Sequence, residues 1–193
     1  SDTDTYNVAV GYDAGVAVTT GVQNTIIGGL SGDAITTGSN NTTLGYAALS
    51  ENTTASNNTA VGYASLNGDT LGSKSTAVGS RSLGNQNFTT ATNSYNTAVG
   101  VDAGLSVTTG IQNPLIGAET GDALTEGSRN VAVGRNALSA DTLGSRSTAL
   151  GRNSLASGLT GIALGSTAIA TSVAGLALGN YTQATTGFYN IAI

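Results

Sequence analysis

One five-residue phrase, closed by a glycine, recurs along the chain at a nearly constant interval, and that interval limits the folds available. "NTAVG" stands at Asn58–Gly62 and again at Asn96–Gly100, with near-copies "NVAVG" at Asn7–Gly11 and Asn130–Gly134, "NTIIG" at Asn24–Gly28 and "STALG" at Ser147–Gly151. The closing glycines are Gly11, Gly28, Gly45, Gly62, Gly79, Gly100, Gly117, Gly134, Gly151, Gly165 and Gly179, spaced 17, 17, 17, 17, 21, 17, 17, 17, 14 and 14 residues apart, and the final "NIAI" repeats the phrase once more. A unit this short cannot bury its own apolar face and must lean on stacked copies of itself. A longer echo, "DAGVAVTTGVQNTIIG" at Asp13–Gly28 and "DAGLSVTTGIQNPLIG" at Asp102–Gly117, lies 89 residues apart and reads as block duplication. The spacing therefore predicts one continuous repeat domain over residues 1–193, with a longer corner loop near 84–96 where the interval rises to 21.

Each column of the repeat carries its own expectation. The residue before the glycine is aliphatic in every copy (Val10, Ile27, Leu44, Val61, Val78, Val99, Ile116, Val133, Leu150, Leu164, Leu178, Ile193) and reads as the core. The residue before that is Ala in nine of twelve copies and, by the period-two alternation of a strand, lies on the opposite face. Small side chains there predict close contact between chains. Three residues after the glycine the side chain is always small, and seven before it stands a second glycine column (Gly21, Gly38, Gly72, Gly110, Gly127, Gly144, Gly158, Gly187) suited to a corner of positive φ. Asn7, Asn24, Asn41, Asn58, Asn96, Asn113, Asn130 and Asn190 lead the phrase and predict a ladder of stacked asparagines. The whole reads as all-β, a parallel β-solenoid or β-roll of about twelve short coils, each flat and two-sided with a return strand. A single row of aliphatic residues is a thin core for one chain, so coils intertwined or packed as a homotrimeric rod are expected.

The 14-residue copies "GIALGSTAIATSVA" and "GLALGNYTQATTGF" resemble the repeats of trimeric autotransporter adhesin heads, and the 17-residue copies, "NTxxGxxAGxxxTTG", resemble the repeats of phage tail-fibre proteins. The resemblance runs from Asn7 to Ile193. It implies left-handed coiling, homotrimers and surface exposure. No heptad stalk, membrane anchor or chaperone domain is visible, so the chain is expected to be a shaft or head segment.

Composition excludes several functions. With 6 basic and 11 acidic residues the net charge is −5, which argues against nucleic-acid binding. The longest apolar runs fall far short of the roughly 20 residues that span a bilayer, so no membrane insertion is expected. Without His or Cys, nucleophile pairs built on either are impossible. "GDTLGSKST" at Gly68–Thr76 misses the Walker spacing by one residue and reappears as "ADTLGSRST" at Ala140–Thr148, which makes it repeat phase rather than a phosphate loop. Asp13, Asp33, Asp69, Asp102, Asp122 and Asp141 recur at turns without the spacing of calcium-binding repeats, so turn capping is expected and no metal or cofactor.

Candidate contacts with a receptor or partner are few. Phe88 and Tyr95 sit in the longer segment, which is expected to loop outward. Arg129, Arg135, Arg146 and Arg152 fall in consecutive coils and would form basic bands able to hold a polyanionic cell-surface glycan. Tyr12, Tyr46 and Tyr63 follow the glycine in three of the first four coils and offer rings for stacking. The expected function is a non-catalytic structural fibre of a virus particle, extracellular, touching other virion or fibre proteins and contributing to host attachment. A bacterial surface adhesin head is the alternative, and ice binding through columns such as Thr19, Thr36, Thr53, Thr70 and Thr108, Thr125, Thr142 is a remote one.

Overall fold

The computed structural model describes residues 5–193, and the fold is all-β, a parallel β-solenoid. Each copy of the phrase forms one short strand: Val8–Val10, Thr25–Ile27, Thr42–Leu44, Thr59–Val61, Thr76–Val78, Thr97–Val99, Pro114–Ile116, Val131–Val133, Thr148–Leu150, Ile162–Leu164, Leu176–Leu178 and Ile191–Ala192. These twelve join in sequence order into one parallel sheet. Register follows the repeat without slipping. Thr42 stands opposite Thr59, Thr76 opposite Thr97 across the longest interval, and Thr148 opposite Ile162 across a short one.

The asparagine ladder is present and explains the first corner. Each Asn from Asn7 to Asn130 accepts from the backbone N–H of its counterpart one coil on, as in Asn24 to Asn7 at 2.8 Å and Asn58 to Asn41 at 3.0 Å, and its Nδ2 donates to the carbonyl three residues before that counterpart, as in Asn24 to Gly38 at 2.9 Å; Asn190, expected in the ladder, is not part of it. One buried amide thus brackets the next corner from both sides. The residue just before the Asn turns left-handed whatever its type, from Gln23 at φ 60° to Asn57 at 64° and Arg129 at 62°, and so does Lys74 at 65° before Ser75. Such a backbone costs a non-glycine residue on the order of 1 kcal/mol, offset here by two hydrogen bonds per rung.

The second glycine column has a different reason from the one expected. Gly21, Gly38, Gly110 and Gly127 do not have positive φ; instead a Cβ on any of them would meet a carbonyl oxygen of the next coil at 2.2–2.3 Å. Close approach of stacked backbones, not turn geometry, selects glycine there. In the second column only Gly187 has positive φ, 81°; the glycine closing the phrase has it throughout, at 117–141° from Gly11 to Gly179.

The two strand faces are reversed relative to the expectation. The Ala column is inside: Ala60, Ala77, Ala98, Ala132, Ala149, Ala163 and Ala177 are fully buried, and so are Ile26, Thr43 and Leu115, which take the same place in other coils. The aliphatic column faces out, with Val10 57% and Val99 38% exposed. Volume accounts for the exchange. The opposite wall of each coil supplies a residue four places after the glycine, and it is Leu66, Leu83 or Leu138 where the strand offers Ala60, Ala77 or Ala132. Where the strand carries Ile26 or Leu115, the opposite residue is Gly32 or Gly121, whose added Cβ would lie 2.8 Å from Ile35 and 2.9 Å from Leu115. The strand position and the position opposite it are not both large in any of these coils, and in the coils with a leucine opposite Ala is the half of the pair that makes room.

The return strand is confined to part of the stack. In most 17-residue coils the second side is a series of turns, because residues two and four places after the glycine are both left-handed, as at Ala47 and Leu49 or Asn136 and Leu138. In the 14-residue coils a second ladder appears, from Leu155 to Ile169 and from Ile169–Ala170 to Gln183–Ala184.

The longer segment does not leave the stack as a simple outward loop. Gln86 and Phe88 are buried, Thr92–Asn93 pairs with Gly72–Ser73, and only Asn85, Asn87, Thr89, Thr90, Ala91, Asn93 and Tyr95 are exposed. Its function in the fold is a repair. Ser75 stands where the ladder needs Asn, and Gln86 supplies the missing amide: it donates to Ser75 Oγ at 2.8 Å and to Asp69 Oδ2 at 2.6 Å, and accepts from Asn96 Nδ2 at 2.7 Å. The Ser75 and Ser94 hydroxyls close the network.

Candidate functional site

The outward face of the twelve-stranded sheet carries a run of exposed aliphatic side chains along its length. Strand pleating sends positions one and three of each phrase strand to this face, so the aliphatic column lies beside a second column of Val8, Thr25, Thr42, Thr59, Thr76, Thr97, Pro114, Val131, Thr148, Ile162, Leu176 and Ile191. Val8, Val10, Ile27, Leu44, Val99, Ile116, Val131, Val133, Leu150, Ile162 and Ile191 are exposed, and Val61, Val78, Leu164 and Leu178 half-buried. Eleven steps of about 4.8 Å and a strand width near 10 Å give a flat face on the order of 500 Å², aliphatic along one column and threonine at six of the twelve places of the other. Its continuous aliphatic column is comparable with the apolar patches found on ordinary monomers.

The expected contact residues flank this strip. Arg129 and Arg146 are the left-handed corner residues just before two strands, whereas Arg135 and Arg152 follow the closing glycines of the same two coils. All four are exposed; Arg129 Nε donates to Gln112 at 3.0 Å, and Arg135 pairs with Glu119 at 3.2 Å across exposed surface. Exposed pairs of this kind contribute little to stability. Tyr46 and Tyr63 stack in consecutive coils, ring centroids 5.9 Å apart and 9° from parallel. Tyr12 stands two coils from Tyr46 with Gly29 in the coil between, and all three tyrosines are exposed. Tyr95 is exposed beneath Lys74, whose Nζ lies 5.1 Å from the ring centroid and donates to the phenol at 3.1 Å. Phe88 is different. Its side chain is buried over Gly72, so it is a packing residue rather than a free contact.

The threonine columns spend their donors internally: Thr19 Oγ1 donates to the Thr36 carbonyl, Thr36 to Thr53, Thr108 to Thr125 and Thr125 to Thr142, at 3.0–3.2 Å. Among the recurrent aspartates, Asp69 and Asp141 cap turns through the backbone N–H of Gly72 at 2.9 Å and of Gly144 at 2.8 Å. Burial raises the pKa of both above the ordinary carboxyl value, and desolvation does the same to Asp122. Among the described residues no group of three or more His, Cys, Asp or Glu is placed to hold a metal ion, and no helix is long and apolar enough to cross a membrane.

Comparison with known protein families, with curated proteins and with solved structures finds no match to this chain. Function therefore rests on the molecule itself.

The sequence reasoning missed the outward aliphatic face and the role of Gln86. The second was detectable: Gln86 lies 17 residues after Asp69, in phase, within one coil of the first serine to interrupt the ladder.

Proposed function

We propose that the chain is a shaft segment of a homotrimeric surface fibre on a virus particle, non-catalytic and extracellular, contributing to host attachment. The observation that carries this reading is the apolar strip: a flat aliphatic face running the full length of the sheet, which a lone chain leaves in water at a cost of about 25 cal/mol per Å². Identical strips packed around a common axis cover one another while leaving both ends of every strand, with their Arg and Tyr side chains, at the rim. The rest of the coil suits a passive shaft. Stacked backbones, an amide ladder and hydroxyls bonded between coils give rigidity without a mobile element. The same construction serves a bacterial adhesin head, which the resemblance of the 14-residue coils favours.

Immunogold labelling with antibody raised against the purified chain separates the two. Label on fibres projecting from virus particles supports the proposal, label on a bacterial envelope supports the adhesin head, and label confined to the cell interior contradicts both.

A further inference from the structure

Charge is not spread evenly along the stack. No acidic residue follows Asp141, and four of the six basic residues, Arg129, Arg135, Arg146 and Arg152, fall in two consecutive coils. In those coils alone a basic residue stands at both ends of the phrase strand. Arg129 and Arg146 hold the left-handed corners before Val131–Val133 and Thr148–Leu150, and Arg135 and Arg152 follow the closing glycines Gly134 and Gly151. The same two places elsewhere carry pairs such as Asn40 with Tyr46, Lys74 with Ser80 and Gln112 with Ala118. The four arginines are exposed, and little of their donor capacity is used. Arg129 gives Nε to Gln112, Arg135 gives one terminal nitrogen to Glu119, and the side chains of Arg146 and Arg152 engage no partner among the described residues. Two carboxylates, Glu119 and Glu126, precede the band, and only the first pairs with it among the described residues.

On one chain the two pairs lie six residue steps apart along the coil, up to about 20 Å, with the outward strand face between them. Packing of three such faces around an axis parallel to the stack changes that: rotation brings the end of each strand to the start of the neighbouring chain's strand at the same height. We infer that each seam between chains is a binding cleft for an acidic polysaccharide, with Arg135 and Arg152 of one chain and Arg129 and Arg146 of the next gripping its anionic groups; the inference rests on the trimeric reading above. The guanidinium fork matches the paired oxygens of a sulfate or carboxylate. Four like charges gathered at a seam with Glu119 as their one paired carboxylate are relieved by an added anion. A band two coils deep suits a chain whose charges are set apart on sugar rings. A stiff DNA duplex, with one charge per about 1.7 Å, would press further phosphates toward Glu119 and Glu126 on a chain whose net charge is already −5.

The probe is a short dextran sulfate fragment, with unsulfated dextran and a DNA duplex of equal charge as controls, titrated by calorimetry into the full chain while sedimentation in the same buffer gives its mass. The fragment binds, the dextran does not, and the duplex binds at least about tenfold more weakly. Log affinity falls against log salt with a slope of about −3 for four contacts on a single-stranded polyanion. Two double variants divide the cleft: Arg129→Gln with Arg146→Gln, and Arg135→Gln with Arg152→Gln. Each alone weakens binding at least about tenfold. Refolded together they give mixed trimers in which one seam regains all four arginines, so the original affinity returns at fewer sites. A particle of three chains that does not bind the fragment, or a mixture that restores nothing, overturns the inference and leaves the assembly standing, whereas a folded monomer overturns both. A duplex that binds as tightly as the fragment overturns the polysaccharide as occupant. Where a variant does not fold, the unsubstituted chain decides, since a salt slope of about −1.5, that of two contacts, contradicts the shared cleft.

Discussion

Ala98 and Val99 are neighbours on one three-residue strand and have opposite fates: the first is sealed inside the coil, the second is 38% exposed. The same contrast holds in most coils, where the smaller residue faces in and the larger faces out; Ile26 and Leu115 are the inward residues that are not small. An ordinary sheet with one solvated face does the reverse. Two constraints produce the inversion here. The coil interior is narrow and already receives a large side chain from its turn side, Val107 in this coil and Leu83 in the one before, so the strand must yield space. The outer face is apolar because, in the present account, it is an interior of another kind, formed between chains.

The sharpest way to break this comparison is to put the same charge at each of the two positions. Ala98→Asp places a carboxylate in a dry slot with no donor, a cost of several kcal/mol that is comparable with the whole stability of a typical domain. We expect loss of the β-sheet signal in circular dichroism; a folded Ala98→Asp chain would mean that the interior is misassigned. Val99→Asp should leave the coil folded, because a surface change costs a monomer within about 0.5 kcal/mol, yet abolish association by burying a charge in the interchain contact. Sedimentation combined with circular dichroism separates the two effects, and an associated Val99→Asp chain contradicts the assembly face.

The interior already holds carboxylates, and how Asp69 is tolerated sharpens the same point. Asp69 survives burial because Gln86, Gly72 and Phe88 direct N–H groups at it. Gln86→Ala strips the Asp69, Ser75 and Asn96 side chains of that partner, an expected loss of about 2–4 kcal/mol read by chemical denaturation. Removal of exposed Thr89, Thr90 and Ala91 should cost far less, since loop length enters closure entropy only logarithmically. Equal effects from the two changes would show that the network is not the function of this segment.

The smallest expected effect is on pH dependence. Asp69 and Asp141 have folded-state pKa values raised above 3.8, so in the interval between the unfolded and folded values the native state binds more protons. Their penalty is absent below the unfolded value and grows as pH rises through the folded one. The melting temperature should therefore increase as pH falls from neutrality towards about 4, and less so in an Asp69→Asn, Asp141→Asn double variant. A melting temperature whose pH dependence is identical in the double variant contradicts the assignment.

Much of this architecture is legible in the sequence, and the residues show where legibility stops. The asparagines leading most copies of the phrase specify the ladder because a buried amide repeated from coil to coil has no other efficient use, and the recurrence of the closing glycine specifies register. Alternation shows that Ala98 and Val99 lie on different faces but not which face is inside, because both are apolar. That choice depends on Leu83 and its counterparts, which reach the core from a turn segment with no strand periodicity. The return strand is overread for a related reason: Ala47, Leu49 and Leu138 take left-handed conformations that their side chains do not advertise. Of the candidate contacts, Tyr46, Tyr63 and the four arginines are exposed as surface residues of a repeat should be, whereas Phe88 is drawn inward by the turn at Gly72.

The central claim is that the outward aliphatic face is covered by other copies of the chain. Sedimentation equilibrium of the purified chain at micromolar concentration tests it most directly. The account predicts a particle of three chains with no folded monomer; a stable, folded monomer that remains soluble with the strip exposed would contradict it.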